Sequence, residues 1–394
     1  MVKHCSERYG YEEVSRWYGQ VWNEPELDMF CSGTTSGWYR LYEEAARGAK
    51  AANPNVKIGG MGFVAWENCL PGFLQYCREN NVPLDFISYH DYNAYGFAIT
   101  HNKALDVAAS AGYANIPILV TEWAETSFGV NGGLPQLDNE RAAAYAAYQA
   151  GDFLYGARSL PKEAFAYWMV SDFFQEGEYE EGPFLGTYGM ITRAGLAKPI
   201  FNAYRMMHMM GDTRLSFTGG HDRCNGFASL CQDGRIHILI YNNTANSQSV
   251  SLAVTNIPFS SIRQEHYLVD KTHSNAYTAW ENMGKPPCPT TAQREQLFTA
   301  AQLQKIEDYA TTITGTFTKS FTAGAYSVSL IVISGYRPNG GTPPGGCRRC
   351  LRHLPERSAE DCCPRHTGQR YRSGRRCVSR FSGCYGESRQ SFAE

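Results

Sequence analysis

Between residues 11 and 205, five short apolar runs alternate with four longer amphipathic segments. The runs cover 14–23, 56–60, 84–90, 116–122 and 164–171, and the segments cover 37–52, 69–80, 103–111 and 139–156. Trp38, Leu41, Tyr42, Ala45 and Ala49 fall at helical spacing in the first segment. Ala143, Ala146, Ala147 and Ala150, with Tyr145 and Tyr148, give the last one high helix propensity. Strand–helix–strand alternation predicts parallel strands covered by helices. No Gly-x-Gly-x-x-Gly or Walker sequence follows any run, which argues against a nucleotide site.

The ends of the runs are chemically distinctive. They read Asn23-Glu24, Tyr89-His90-Asp91, Thr121-Glu122-Trp123, and Tyr167-Trp168 followed by Ser171-Asp172. The C-terminal ends of parallel strands are where (β/α)8 barrels and doubly wound sheets bind ligands. Pro25 lacks a backbone donor, so the first strand is expected to stop there and leave Glu24 at a rim. Glu122 ends another run 98 residues later. Two glutamates facing each other across a cleft are the minimum apparatus for cleaving a glycosidic bond. One protonates the leaving oxygen, and the other attacks the anomeric carbon or activates water.

Asn23 suits a hydrogen bond to a sugar hydroxyl, and His90 suits a hydroxyl or the tuning of a carboxylate. Trp123 and Trp168 suit apolar platforms for a sugar ring. Each has a plainer reading: a solvated strand end for Glu122, a structural histidine for His90, a core aromatic for Trp168. Their order along one chain carries more weight than any member.

After Gly211 the pattern changes. "RIHILIYNN", "SVSLAVTNI", "SIRQEHYLVD", "TGTFTKSF" and "AYSVSLIVIS" alternate or are β-branched, and Asp233-Gly234 is a hairpin signal. An antiparallel β-sandwich is expected over 212–335, interrupted by one helical insert, "TTAQREQLFTAAQLQ". "RPNGGTPPGG" marks a linker, placed at 336–346. The 347–394 tail is irregular. Residues 336–394 hold 12 Arg, no Lys and six of the 13 cysteines. Cys347-x-x-Cys350 could be half a zinc site or part of a disulfide cluster, but no second paired spacing completes a metal site. Arg without Lys favours out-of-frame translation of GC-rich DNA.

Net charge is −2, which gives no field to recruit nucleic acid or an anionic membrane. No apolar run is long enough to span a bilayer. The first residues lack the apolar core of a signal peptide, so the chain as written reads as cytoplasmic, and export would need a signal upstream. Asn242-Asn243-Thr244 is a glycosylation sequon.

Several stretches carry a family resemblance. "VSRWYGQVWNEPEL" resembles the acid/base strand of glycoside hydrolase family 39, the family of β-xylosidases and α-L-iduronidases. "NVKIGGMG", "VPLDFISYHDY" and "IPILVTEW" resemble its next three strands. "FAYWMVSDFFQE" and "GTYGMITRAGLAKPIFNAYRMMHMMGD" resemble its eighth strand and the exit from the barrel, and "DKTHSNAYTAWENMGKPPCPTTAQREQL" resembles its sandwich insert. The resemblance covers about residues 9–335 and is closer to the β-xylosidase branch.

The resemblance implies Glu24 as acid/base and Glu122 as nucleophile of a retaining, two-step glycosidase. It implies Asn23 and His90 as sugar contacts, with Glu176 in the place of an acidic pair that xylosidases carry. It implies a carbohydrate substrate, and no cofactor or metal is expected. The acid/base strand is the family's fourth of eight, so a barrel truncated to about strands 4–8 is expected over 1–211. An α-L-iduronidase-like activity and a non-catalytic carbohydrate-binding remnant are the alternatives.

Overall fold

The computed structural model describes residues 1–92, 96–127, 132–159, 165–173, 182–221 and 223–336. The expectations for Glu176, for the 347–394 tail and for the 336–346 linker beyond Tyr336 lie outside the described residues.

Two short helices, α1 (Val2–Tyr9) and α2 (Tyr11–Val14), open the chain. The strand expected over 14–23 is therefore shorter, β1 (Tyr18–Val21). There follow α3 (Thr35–Ala52), β2 (Lys57–Phe63), α4 (Trp66–Glu79), β3 (Phe86–Asp91), α5 (Phe97–Ser110), β4 (Ile118–Trp123), α6 (Pro135–Asp138), α7 (Glu140–Gly156) and β5 (Phe165–Tyr167). The five strands pair in parallel and in chain order. Side-chain caps start α3 and α7. Thr34 accepts from the Gly37 amide ahead of α3, and Asn139 from the Arg141 amide ahead of α7.

The sheet is curled into a half-barrel. Adjacent strands lie about 4.8 Å apart, so β1 and β4 would be about 14 Å apart in a flat sheet. Yet the Thr121 hydroxyl on β4 donates to the Gln20 side chain on β1 at 3.1 Å. Only a strongly concave sheet lets these two side chains meet.

Helix α8 (Pro199–Met209) leaves the half-barrel and leads to the antiparallel part. This comprises β6 (Thr213–Leu215), β7 (Cys224–Leu230), β8 (Ile236–Asn242), β9 (Gln248–Val254), β10 (Ser261–Val269), α9 (Ala276–Asn282), α10 (Thr291–Ala300), β11 (Gln304–Thr312), β12 (Phe317–Ala323) and β13 (Ser327–Gly335). Six strands form one sheet in the order β11-β10-β13-β8-β7-β6, and β12 and β9 form another. Alternation divides the residues of the larger sheet between two cores. Ile238, Ile240, Ile331 and Ile333 pack with Leu252 of β9 and Phe317 of β12. Leu239, Tyr241, Leu330 and Val332 join the main core instead, together with α7 and α8.

Helix α7 is the common wall. It is buried on nearly all sides, from Ala142 to Phe153. Its small residues let two layers approach at once: a methyl group at Gly151 would collide with the Tyr241 hydroxyl. The sequon lies beside this wall and is closed to modification. Asn242 is fully buried, and its amide nitrogen donates to the Asn246 and Gly324 carbonyls, each at 2.8 Å.

Candidate active site

Three strand ends of the half-barrel bring Glu24, His90 and Glu122 together. After β1 the backbone turns through two residues of positive φ, Trp22 (65°) and Glu24 (42°). Such a conformation is unfavourable for both residue types, and it aims the Glu24 side chain into the concavity. The turn is fixed by the Glu24 amide, which donates to the Gly62 carbonyl at 3.3 Å. Glu26 anchors the same segment by accepting from the Ala65 amide at 2.8 Å, just ahead of α4.

The second carboxylate depends on an irregular register. Along β3 and β4, Ile87, Ser88 and Tyr89 pair with Ile118, Leu119 and Val120, but His90 pairs with Glu122. Thr121 is thus an extra residue in β4, a bulge. In regular pairing Thr121 would stand beside His90, and Glu122 would face the helices. The bulge puts Glu122 beside His90 on the concave side.

His90 sits between the carboxylates. Its Nδ1 lies 2.5 Å from Glu24 Oε1 and 3.3 Å from Glu122 Oε2. A donor atom from each of the three residues lies within 4.8 Å of the others. His90 is 1% exposed and Glu24 7%, so water screens these contacts poorly. Tyr92, which the sequence reading passed over, donates its hydroxyl to Glu122 Oε2 at 2.8 Å. Burial and the neighbouring Glu122 carboxylate push the Tyr92 phenol well above its ordinary value, so it remains a donor. One imidazole and two carboxylates would also suit a divalent cation, but His90 Nδ1 is already engaged by Glu24.

The remaining sequence candidates distribute differently. Asn23 is half-buried in the turn between Trp22 and Glu24. Trp168 follows β5, is half-buried, and donates its amide to the Trp123 carbonyl at 2.9 Å. Trp123 is not a sugar platform. It is fully buried, with its ring stacked on Phe165 and edge-on to Phe97 and Tyr167. The reason is alternation: next to an inward Glu122, Trp123 must point outward, under the helices. Asp91, beside His90, also points outward and accepts a short hydrogen bond from Thr100 of α5. Burial raises its carboxyl to about 7.

Asp172, counted among the polar strand ends, is no part of the cleft. It is buried with Asp138 and Lys198 in an ion cluster. Lys198 Nζ lies 2.6 Å from Asp138 Oδ1 and 2.9 Å from Asp172 Oδ2, and its side chain is completely buried. Thr187 and the Gly186 amide donate to the two carboxylates. The cluster joins α6 and the start of α8 to the segment after β5.

Comparison with known proteins gives a consistent result. A family model described as glycosyl hydrolases family 39 matches residues 1–318. A β-xylosidase of Geobacillus stearothermophilus is 26% identical over 88% of this chain and 71% of its own length. A β-xylosidase of Caldicellulosiruptor saccharolyticus is also 26% identical, over 77% of this chain and 65% of its own length. An α-L-iduronidase of Mus musculus is 34% identical over 22% of this chain and 16% of its own. Among solved structures, a monomeric β-xylosidase from Caulobacter crescentus CB15 superposes with a TM-score of 0.74 at 22% identity, covering 85% of this chain and 73% of that one.

Proposed function

The chain belongs to glycoside hydrolase family 39, and from that premise we propose that it is a retaining, exo-acting glycosidase of the β-xylosidase type. The observation that carries the reading is the pair Glu24 and Glu122, with carboxylate oxygens within 4.8 Å of each other. Retaining glycosidases hold their carboxyl groups about 5–5.5 Å apart, whereas inverting ones need about 6.5–9.5 Å to admit a water molecule.

The surroundings suggest the roles. Tyr92 donates to Glu122, which favours the ionised, nucleophilic form. Glu122 attacks the anomeric carbon while Glu24 gives its proton to the departing oxygen. Glu24 then takes a proton from water, which displaces Glu122 from the glycosyl-enzyme. His90 meets Glu24 at 2.5 Å and is placed to hold that carboxyl as its proton comes and goes. A neutral pentoside is favoured over a uronide, since β-xylosidases are similar to this chain over most of its length, and the α-L-iduronidase only over 22% of it.

The test is hydrolysis of an aryl β-xyloside and an aryl α-L-iduronide by the 394-residue chain, beside Glu24→Ala and Glu122→Ala. Xyloside turnover that falls on the order of 10⁴-fold in Glu122→Ala, with the β-anomer released first, supports the reading. A folded chain inert toward both substrates would instead favour a non-catalytic carbohydrate-binding role.

A further inference from the structure

We infer that Gln20 is the positioning residue that sets the separation of Glu24 and Glu122. The inference rests on the two-glutamate reading above. Its basis is a single side-chain amide that touches both strands bearing these residues. Gln20 Oε1 accepts from the Thr121 hydroxyl at 3.1 Å, and Thr121 is the bulged residue directly before Glu122. Gln20 Nε2 donates to the Trp22 carbonyl at 3.0 Å, two residues before Glu24. Among the described residues, backbone pairing links β1 to β4 through β2 and β3. The Gln20 amide makes the link directly, across the concave face.

The neighbouring backbone is shaped around this strut. Gly62 adopts a φ of +63°, and a Cβ there would lie 2.7 Å from Gln20 Nε2 and 3.0 Å from His90 Nε2. Gly62 thus makes room for Gln20 and His90 to lie side by side, and its carbonyl holds the Glu24 amide. Gln20, Gly62 and His90 form one packed unit beneath the carboxylates. Neither hydrogen bond of Gln20 reaches a carboxylate, so it acts on the chemistry only through geometry.

The experiment compares wild type, Gln20→Leu, Thr121→Val and the double variant. Three things are measured: kcat and KM on an aryl β-xyloside, the thermal midpoint, and the Glu24–Glu122 oxygen separation by crystallography. Misplacing a reacting group by about 1 Å costs about 100-fold in rate. Gln20→Leu is therefore expected to lose about 10- to 100-fold in kcat with KM nearly unchanged, and to widen the separation. Thr121→Val should do part of the same, and the double variant should be no worse than Gln20→Leu, because the Gln20–Thr121 hydrogen bond is already lost in Gln20→Leu. A folded Gln20→Leu protein with kcat within about twofold of wild type overturns the inference, as does an unchanged separation. If the wild-type chain turns nothing over, the hydrolase reading fails, and the separation alone decides the role of Gln20.

Discussion

His90 and Glu122 stand side by side on neighbouring strands only because Thr121 is one residue too many for the pairing. The bulge turns one carboxylate from the helix side to the concave side. It also brings Glu122 within reach of Tyr92, whose hydroxyl lies 2.8 Å away.

Tyr92→Phe removes that hydroxyl and little else. A hydrogen bond to a charged group is worth about 1.5–3 kcal/mol. The expected loss in kcat/KM is therefore about 10- to 100-fold, and the acid limb of the rate profile should move to higher pH, because ionised Glu122 loses a donor. An unchanged profile would show that the contact does not survive in the working enzyme.

Asp91 makes stability depend on pH. Its carboxyl, raised to about 7 by burial, holds a proton in the folded state that the unfolded chain releases near 4. Between these values the folded state binds more protons, so this residue makes stability fall as pH rises from about 4 to about 7. The slope is at most about 1.4 kcal/mol per pH unit. Asp91→Asn should flatten it and gain most on wild type above pH 7, as read by urea denaturation at several pH values.

Lys198→Met should be severely destabilising. It strips the shared cation from two buried carboxylates, Asp138 and Asp172, which lie within 3 Å of it. Breaking a buried ion cluster by removing one partner costs about 3–5 kcal/mol. Adding Asp138→Asn and Asp172→Asn should recover much of the loss, because no unpaired charge then remains. Thermal melts of the single and triple variants check both halves.

Trp123 and Trp168 should separate stability from binding. Trp123→Ala empties a fully buried site and should cost about 3–5 kcal/mol of stability. Trp168→Ala, at a half-buried position, should cost less stability and should raise KM for the xyloside if its ring meets the sugar. Equal stability losses would contradict this contrast.

Local rules made part of the molecule legible. Each of the four helical segments expected between the strands is a helix, as for α7, expected over 139–156 and found at Glu140–Gly156, although α5 begins earlier than expected, at Phe97. Glu24 and Glu122 could be singled out because each ends an apolar run. The bulge at Thr121 could not, because an extra residue has meaning only against a partner strand. The Lys198 cluster was equally hidden, since its three members are brought together only by tertiary packing. Trp123, expected at the cleft, lies instead under the helices, because regular alternation resumes after the bulge and turns the residue following Glu122 to the opposite face.

The wall formed by α7 makes the parallel and antiparallel parts a single inheritance. A chain cut after residue 211 would leave the faces of α7 and α8 that meet Tyr241, Leu330 and Val332 open to solvent. Melting should therefore be one cooperative event, with the α7 amides among the last to exchange with deuterium. For the same reason, the half-barrel cannot be grafted onto an unrelated partner without carrying its second sheet along.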